Sequence, residues 1–168
     1  MEQERCIQIT TGTNKYVAGQ VDNAAFLRGL LNTTGLLQDT AAPFDTGANG
    51  IMYGGMLDAD NKLVLCGTYN NILSVVKYNI ASSPVRVTAF NGDGVVQLPA
   101  LGVATGYAVT QDSAGNYYIA GESTVGGNLV FTLIKLDNDG DFEFAVQETG
   151  LGVGRATAVK MNTDGTLL

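Results

Sequence analysis

Histidine and tryptophan are both absent from the chain. Without histidine there can be no Ser-His-Asp triad, no Cys-His pair and no zinc site that uses an imidazole. Cysteine is nearly absent. Cys6 and Cys66 have no second cysteine at ligand spacing, so a metal role fails. They read as two small buried hydrophobes, and nothing in the sequence supports a disulfide between them. Basic residues are few and scattered, nine Lys+Arg against sixteen Asp+Glu, for a net charge of −7. A phosphate backbone or an anionic lipid surface needs a basic stripe, so neither nucleic acid nor membrane is expected as a partner. No apolar run approaches the ~18 residues of a spanning helix. The start, Met1-Glu2-Gln3-Glu4-Arg5, is polar and does not resemble a secretory signal. That leaves the compartment open between the cytosol and that of a longer precursor.

Glycine, by contrast, is abundant. The chain has 22 in 168 residues, roughly twice the usual ~7%. With 45% hydrophobic residues, it is no disordered acidic tail. Much of the glycine belongs to an internal repeat. Leu101-Gly102-Val103-Ala104-Thr105-Gly106-Tyr107-Ala108-Val109 matches Leu151-Gly152-Val153-Gly154-Arg155-Ala156-Thr157-Ala158-Val159. A polar turn, a β-prone run and a small residue then lead to an anchor glycine, at Gly19, Gly67 and Gly121. A third anchor is a β-prone run closing on Asn32, Asn79 or Asp137, followed by turn residues such as Asp137-Asn138-Asp139-Gly140.

Short strands with Gly/Asn/Asp punctuation predict an all-β fold. In the third copy the strands are expected at Tyr107–Asp112, Asn116–Ala120, Asn128–Leu136 and Phe142–Gln147. Asn23–Leu31, the nearest thing to a helix, aligns with strands elsewhere and contains Gly29, so it reads as a strand. Four antiparallel strands per ~50 residues is the pattern of a β-propeller blade. The single repeat domain divides into a first repeat at about 6–53, a second at about 54–107, a third at about 108–157 and a partial fourth at 158–168. The anchor glycines are expected at close approaches between blades near an axis.

Ala158–Gly165, Tyr117–Gly121, Lys135–Gly140 and Phe90-Asn91-Gly92-Asp93-Gly94 together resemble the delta-60 repeat, a bacterial β-propeller-like family. The resemblance covers nearly the whole chain and departs from the family pattern at Asn79-Ile80-Ala81-Ser82-Ser83-Pro84. It implies a binding or scaffold role on large secreted or surface proteins, with no shared catalytic residues. Three blades and about a quarter do not close a ring of the usual ~4–8. The expected partners are therefore further blades of a longer chain or other copies of this one.

Other motifs suggest chemistry and yield to simpler readings. Asp137, Asp139 and Asp141, with Glu148, are similar to a calcium loop. The glycine is at the wrong position, however, and a hairpin turn is expected. Gly150–Arg155 has the glycines of a phosphate loop but reads as a linker between repeats. The carboxylate pairs Asp58/Asp60 and Glu143/Glu148 could serve a glycosidase, yet turn chemistry accounts for Asp58 and Asp60. Tyr107, Tyr117 and Tyr118 could line a sugar-binding face or belong to the core. Asn32-Thr33-Thr34 fits a glycosylation acceptor. No cofactor is expected. The leading expectation is a non-catalytic scaffold or binding module. The alternatives are a carbohydrate-binding or glycan-active propeller and a purely structural assembly unit.

Overall fold

A computed structural model of the protein describes residues 6–11, 14–21, 24–31, 37–41, 49–81, 84–150 and 152–168. Side chains are described for Ala18 and from Asn49 onward within those ranges. The Asn32–Gly35 turn, the Asn32-Thr33-Thr34 acceptor, residues 1–5 and the Cys6 side chain lie outside them.

The fold is all-β, and no α-helix occurs among the described residues. Three antiparallel sheets follow one another along the chain. The first consists of β1 (Cys6–Thr11), β2 (Asn14–Val21), β3 (Ala24–Leu31) and β4 (Leu37–Ala41). The second has β5 (Gly50–Leu57), β6 (Leu63–Tyr69), β7 (Ile72–Asn79), β8 (Val85–Arg86) and β9 (Val95–Gln97). A 3-10 turn at Pro99–Leu101 leads to the third, β10 (Ala104–Gln111), β11 (Tyr117–Val125), β12 (Asn128–Leu136) and β13 (Phe142–Glu148). Strands β1–β4, β5–β8 and β10–β13 each pair in chain order, and turns as short as 58–62 and 112–116 can join only antiparallel neighbours.

The second sheet is covered on both faces. On one, Leu63, Leu65, Val76 and Tyr78 pack in a cluster that contains Ala18 of the first sheet. On the other, Val64, Cys66, Leu73 and Val75 meet Tyr117, Ile119, Ile134 and Leu136 of the third. Successive side chains on a strand point to opposite faces, so a strand buried on both sides is a continuous apolar run. Leu63–Cys66 and Leu73–Tyr78 are such runs, with Ser74 and Lys77 as the polar interruptions. Cys66 is a free thiol at the heart of this packing, and burial pushes it up to about 12.

Several elements differ from the sequence reading. β10 begins at Ala104 rather than Tyr107, and β11 continues to Val125 rather than ending at Ala120. Both extensions follow from pairing, since Ala104 faces Ser123 and Val125 faces Asn128 across the ladders. The outer strand of the second sheet is split. β8 pairs Tyr78↔Arg86 and β9 pairs Val76↔Val95, with residues 87–94 looping out between them. Phe90 of that loop is not a turn residue at the surface. It is buried in the core between the second and third sheets, edge-to-face with Tyr117 at 5.7 Å.

The anchor glycines answer to their own sheets. In the ladders, Gly19 faces Cys6, Gly67 faces Met52 and Gly121 faces Gly106. A register shift follows at Met52/Gly54 and at Gly106/Ala108. This pushes the carbonyls of Ile51 and Thr105 over Gly67 and Gly121, where a Cβ would lie 1.9 Å and 2.1 Å from them. The close approach between sheets falls instead at Gly54, whose Cβ would lie 2.5 Å from the Tyr107 carbonyl oxygen.

Candidate functional site

The most concentrated chemistry sits between the second and third sheets. Lys77 is the only charged residue of β7, and Asp58 opens the β5–β6 turn. Their side chains are only 5% and 1% exposed, with Lys77 Nζ 3.0 Å from Asp58 Oδ2. Tyr117 of β11 completes the group. Its hydroxyl accepts from Lys77 Nζ at 2.7 Å and donates to Asp58 Oδ2 at 3.0 Å. The ammonium also lies 5.1 Å from the Tyr117 ring centre and 5.5 Å from that of Phe90, a cation–π setting. Burial works to raise the Asp58 carboxyl. The Lys62 amide, the Lys77 ammonium and the Tyr117 hydroxyl overcome it and hold the carboxyl below its usual value. Burial and the neighbouring Asp58 carboxylate push Tyr117 well above the usual phenol value. Asp58 is therefore ionised and Tyr117 neutral near pH 7, which suits a lock between sheets rather than a proton shuttle.

The other carboxylate of note is the turn aspartate. Asp58 Oδ1 accepts the amides of Asp60 and Lys62. Asp112 does the same for Ala114 and Asn116, and Asp137 for Asp139 and Asp141. The residue three places on has positive φ: Asn61 at 58°, Gly115 at 93°, Gly140 at 89° and, after Asn162, Gly165 at 84°. Glycine, or asparagine with its short polar side chain, is favoured there because a left-handed backbone brings a Cβ too close to the following carbonyl oxygen. At Asn79, Oδ1 accepts the amide of Ala81.

Asp137, Asp139 and Asp141, the calcium candidates, therefore form a hairpin turn in which Asp137 binds its own backbone. Among the described residues, no group of three His, Cys, Asp or Glu side chains could hold a metal ion. The turn also supports the neighbouring sheet. Asn91 donates its amide to the Asp139 carbonyl at 2.7 Å, and the Phe90 ring lies against Gly140. Asp137→Asn keeps an acceptor for both amides and is expected to fold with unchanged stability. Asp137→Ala loses two amide bonds and should cost about 1–2 kcal/mol. Urea unfolding measures both, and added calcium should move neither midpoint.

The tyrosines do not share a face. Tyr117 is fully buried, and Tyr118 points to the opposite side of β11. Tyr107 stands on β10, its ring tilted against Tyr53 at 5.1 Å. Its hydroxyl donates to Glu122 Oε1 at 2.6 Å. Burial and that carboxylate push it up to about 12. Arg155 caps the cluster, with Nε 3.3 Å from Glu122 Oε2 and the guanidinium 5.6 Å from the Tyr107 ring. Arg155 thus gives the third sheet a cation, shared between Glu122 of β11 and the Tyr107 ring of β10.

The carboxylates of both pairs have partners. Asp58 is spent on Lys77, and Asp60 reaches Lys62 at 3.5 Å. Glu143 pairs with Lys135 at 2.6 Å, and Glu148 accepts the Gly150 amide at 2.7 Å. A groove of about 430 Å³ opens where the turn ends gather, lined in part by Met56, Thr110, Asp112 and Met161. A scan against protein-family models gives no match for this chain, and a search of curated proteins gives none.

Proposed function

We propose that the chain is a non-catalytic scaffold or binding module built from β-propeller-type blades, of the kind the delta-60 resemblance implies. The observation that carries the reading is the second sheet, buried on both faces by its neighbours in sequence. Consecutive four-stranded meanders stacked in chain order are how a propeller is assembled. A shared ladder position for Gly19, Gly67 and Gly121 supports the same unit repeating. Among the described residues, Asp58, Asp112, Asp137, Glu122 and Glu143 are engaged in turns, in the inter-sheet lock, with Arg155 or with Lys135. Its partners on this reading are proteins, other copies of the chain included.

The test is a glycan array together with a panel of chromogenic glycosides. No turnover and no reproducible glycan binding are expected. Turnover that disappears in Glu143→Gln or Glu148→Gln would move the protein to the glycan-active class. Binding lost in Tyr118→Ala would make it a lectin-like propeller.

A further inference from the structure

The third sheet presents to its open side the same positions that the second sheet presents to the third. The ladders make the correspondence explicit. Val64↔Lys77, Cys66↔Val75 and Thr68↔Leu73 in the second sheet match Tyr118↔Lys135, Ala120↔Leu133 and Glu122↔Phe131 in the third. In the second sheet, Val64, Cys66, Leu73, Val75 and Lys77 are all buried. In the third, Tyr118, Phe131, Leu133 and Lys135 are only half-buried. Beside them on β13, Phe144 and Val146 are 41% and 48% exposed. Isolated apolar residues at a surface mean little, but a contiguous set on one sheet face marks an interaction site.

The polar elements of the lock recur there too. Asp112 occupies the position of Asp58 and Lys135 that of Lys77. Among the described residues, the phenol that reaches Asp112 is that of Tyr118 on the same sheet, at 3.3 Å. Lys135 pairs instead with Glu143 at 2.6 Å and lies 5.8 Å from the Tyr118 ring. Residues 156–161 already run past the inner edge of this face. Ala156 donates its amide to the Gly121 carbonyl, and the Met161 amide reaches Thr110 Oγ1.

We propose that this face receives a second copy of the chain head to tail, its β2–β4 docking as the third sheet docks on the second. Residues 156–161 then stand at the inner edge in place of the incoming β1. The inference rests on the scaffold reading and names its partner. The position four residues before the anchor glycine is Tyr117 in the third sheet and Lys15 in the first, so the docking sets a lysine against the Asp112 and Glu143 carboxylates and the Lys135 ammonium. A heterologous contact of this kind builds rings or open arrays rather than only two-fold dimers.

Sedimentation velocity on the full chain, from about 5 to 200 μM, is the experiment. Masses rising in steps of 17.5 kDa are expected, whereas a monomer throughout overturns the proposal. Val146→Glu and Phe144→Glu should weaken self-association at least tenfold while keeping the circular dichroism and melting temperature of the parent. Val85→Glu, on the outer strand of the second sheet, should leave it unchanged. Equal loss in Val85→Glu places the contact elsewhere and overturns it. Mixed with the parent, Val146→Glu chains should still donate their first sheet and co-sediment as end caps. Failure to co-sediment indicates a two-fold contact and also sinks the head-to-tail form. A monomer without glycan activity removes this inference and leaves the scaffold reading standing. Glycoside turnover removes the scaffold reading whatever the mass.

Discussion

Asp58→Ala is expected to destabilise the protein by about 3–5 kcal/mol, the usual cost of leaving one member of a buried ion pair without its partner. The carboxylate serves two ends. Oδ1 holds the β5–β6 turn through the Asp60 and Lys62 amides, and Oδ2 takes both Lys77 Nζ and the Tyr117 hydroxyl. Its loss leaves an ammonium that is 5% exposed with a phenol and two aromatic rings for company. Urea unfolding at neutral pH measures the effect. In a Lys77→Met background the same substitution should cost far less, because no buried cation remains to be orphaned. Equal costs in the two backgrounds would show that Asp58 acts only through its turn.

The same site sets a pH dependence. Asp58 and Asp112 are held below the usual carboxylate value in the folded chain. The unfolded chain therefore binds protons first as pH falls. Their contribution is complete above about pH 4 and is lost as pH drops through the folded values. The parent should weaken steeply between about pH 4 and 2. Asp58→Ala, already missing one of these groups, should show a shallower fall.

Local chemistry in this chain was readable in one dimension, and contact between sheets was not. The turn at Asp137–Asp141 is fixed by residues four apart, so Asp, Asn and Gly at set offsets are enough to predict it. Ala24–Leu31 is a strand despite its helix-like pattern, and alignment with the other copies made that visible. The Asp58–Lys77–Tyr117 lock joins residues up to 59 apart, and no spacing rule reaches that far. One signal was available. Lys77 is the single charge in the run Leu73–Tyr78, and a lone lysine in a strand covered on both faces needs a buried acid. Phe90 was hidden for a related reason. Its neighbours Asn91, Gly92 and Gly94 all have positive φ, so the segment reads as a turn, while the aromatic ring folds back into the core. The anchor glycines were visible as a recurrence. For Gly67 and Gly121 the cause, a bulge on the adjoining strand, is a property of pairing that no single strand displays.

That cause makes Gly121→Ala, with Gly67→Ala, a severely damaging small substitution. Its backbone does not need a left-handed φ, so conformational strain is not the reason. The added Cβ would sit 2.1 Å from the Thr105 carbonyl oxygen and 3.2 Å from Gly106 Cα. Both are backbone atoms of the paired strand, and no side-chain rotation relieves them. Overpacking a core usually costs about 1–3 kcal/mol. Here the ladder itself must part at Gly106↔Gly121, where the Ala156 amide also binds the Gly121 carbonyl, so about 3 kcal/mol or more is expected. Gly67→Ala, whose Cβ would meet the Ile51 carbonyl at 1.9 Å, should match it. Gly126→Ala in the β11–β12 turn meets open space but carries φ 57°, which costs about 1 kcal/mol for a non-glycine residue. Thermal unfolding of the three variants separates the two effects. Gly121→Ala and Gly67→Ala should fall together, well below Gly126→Ala. If all three were alike, glycine would matter in this chain for turn conformation alone, and the bulge would not be what holds position 121 to glycine.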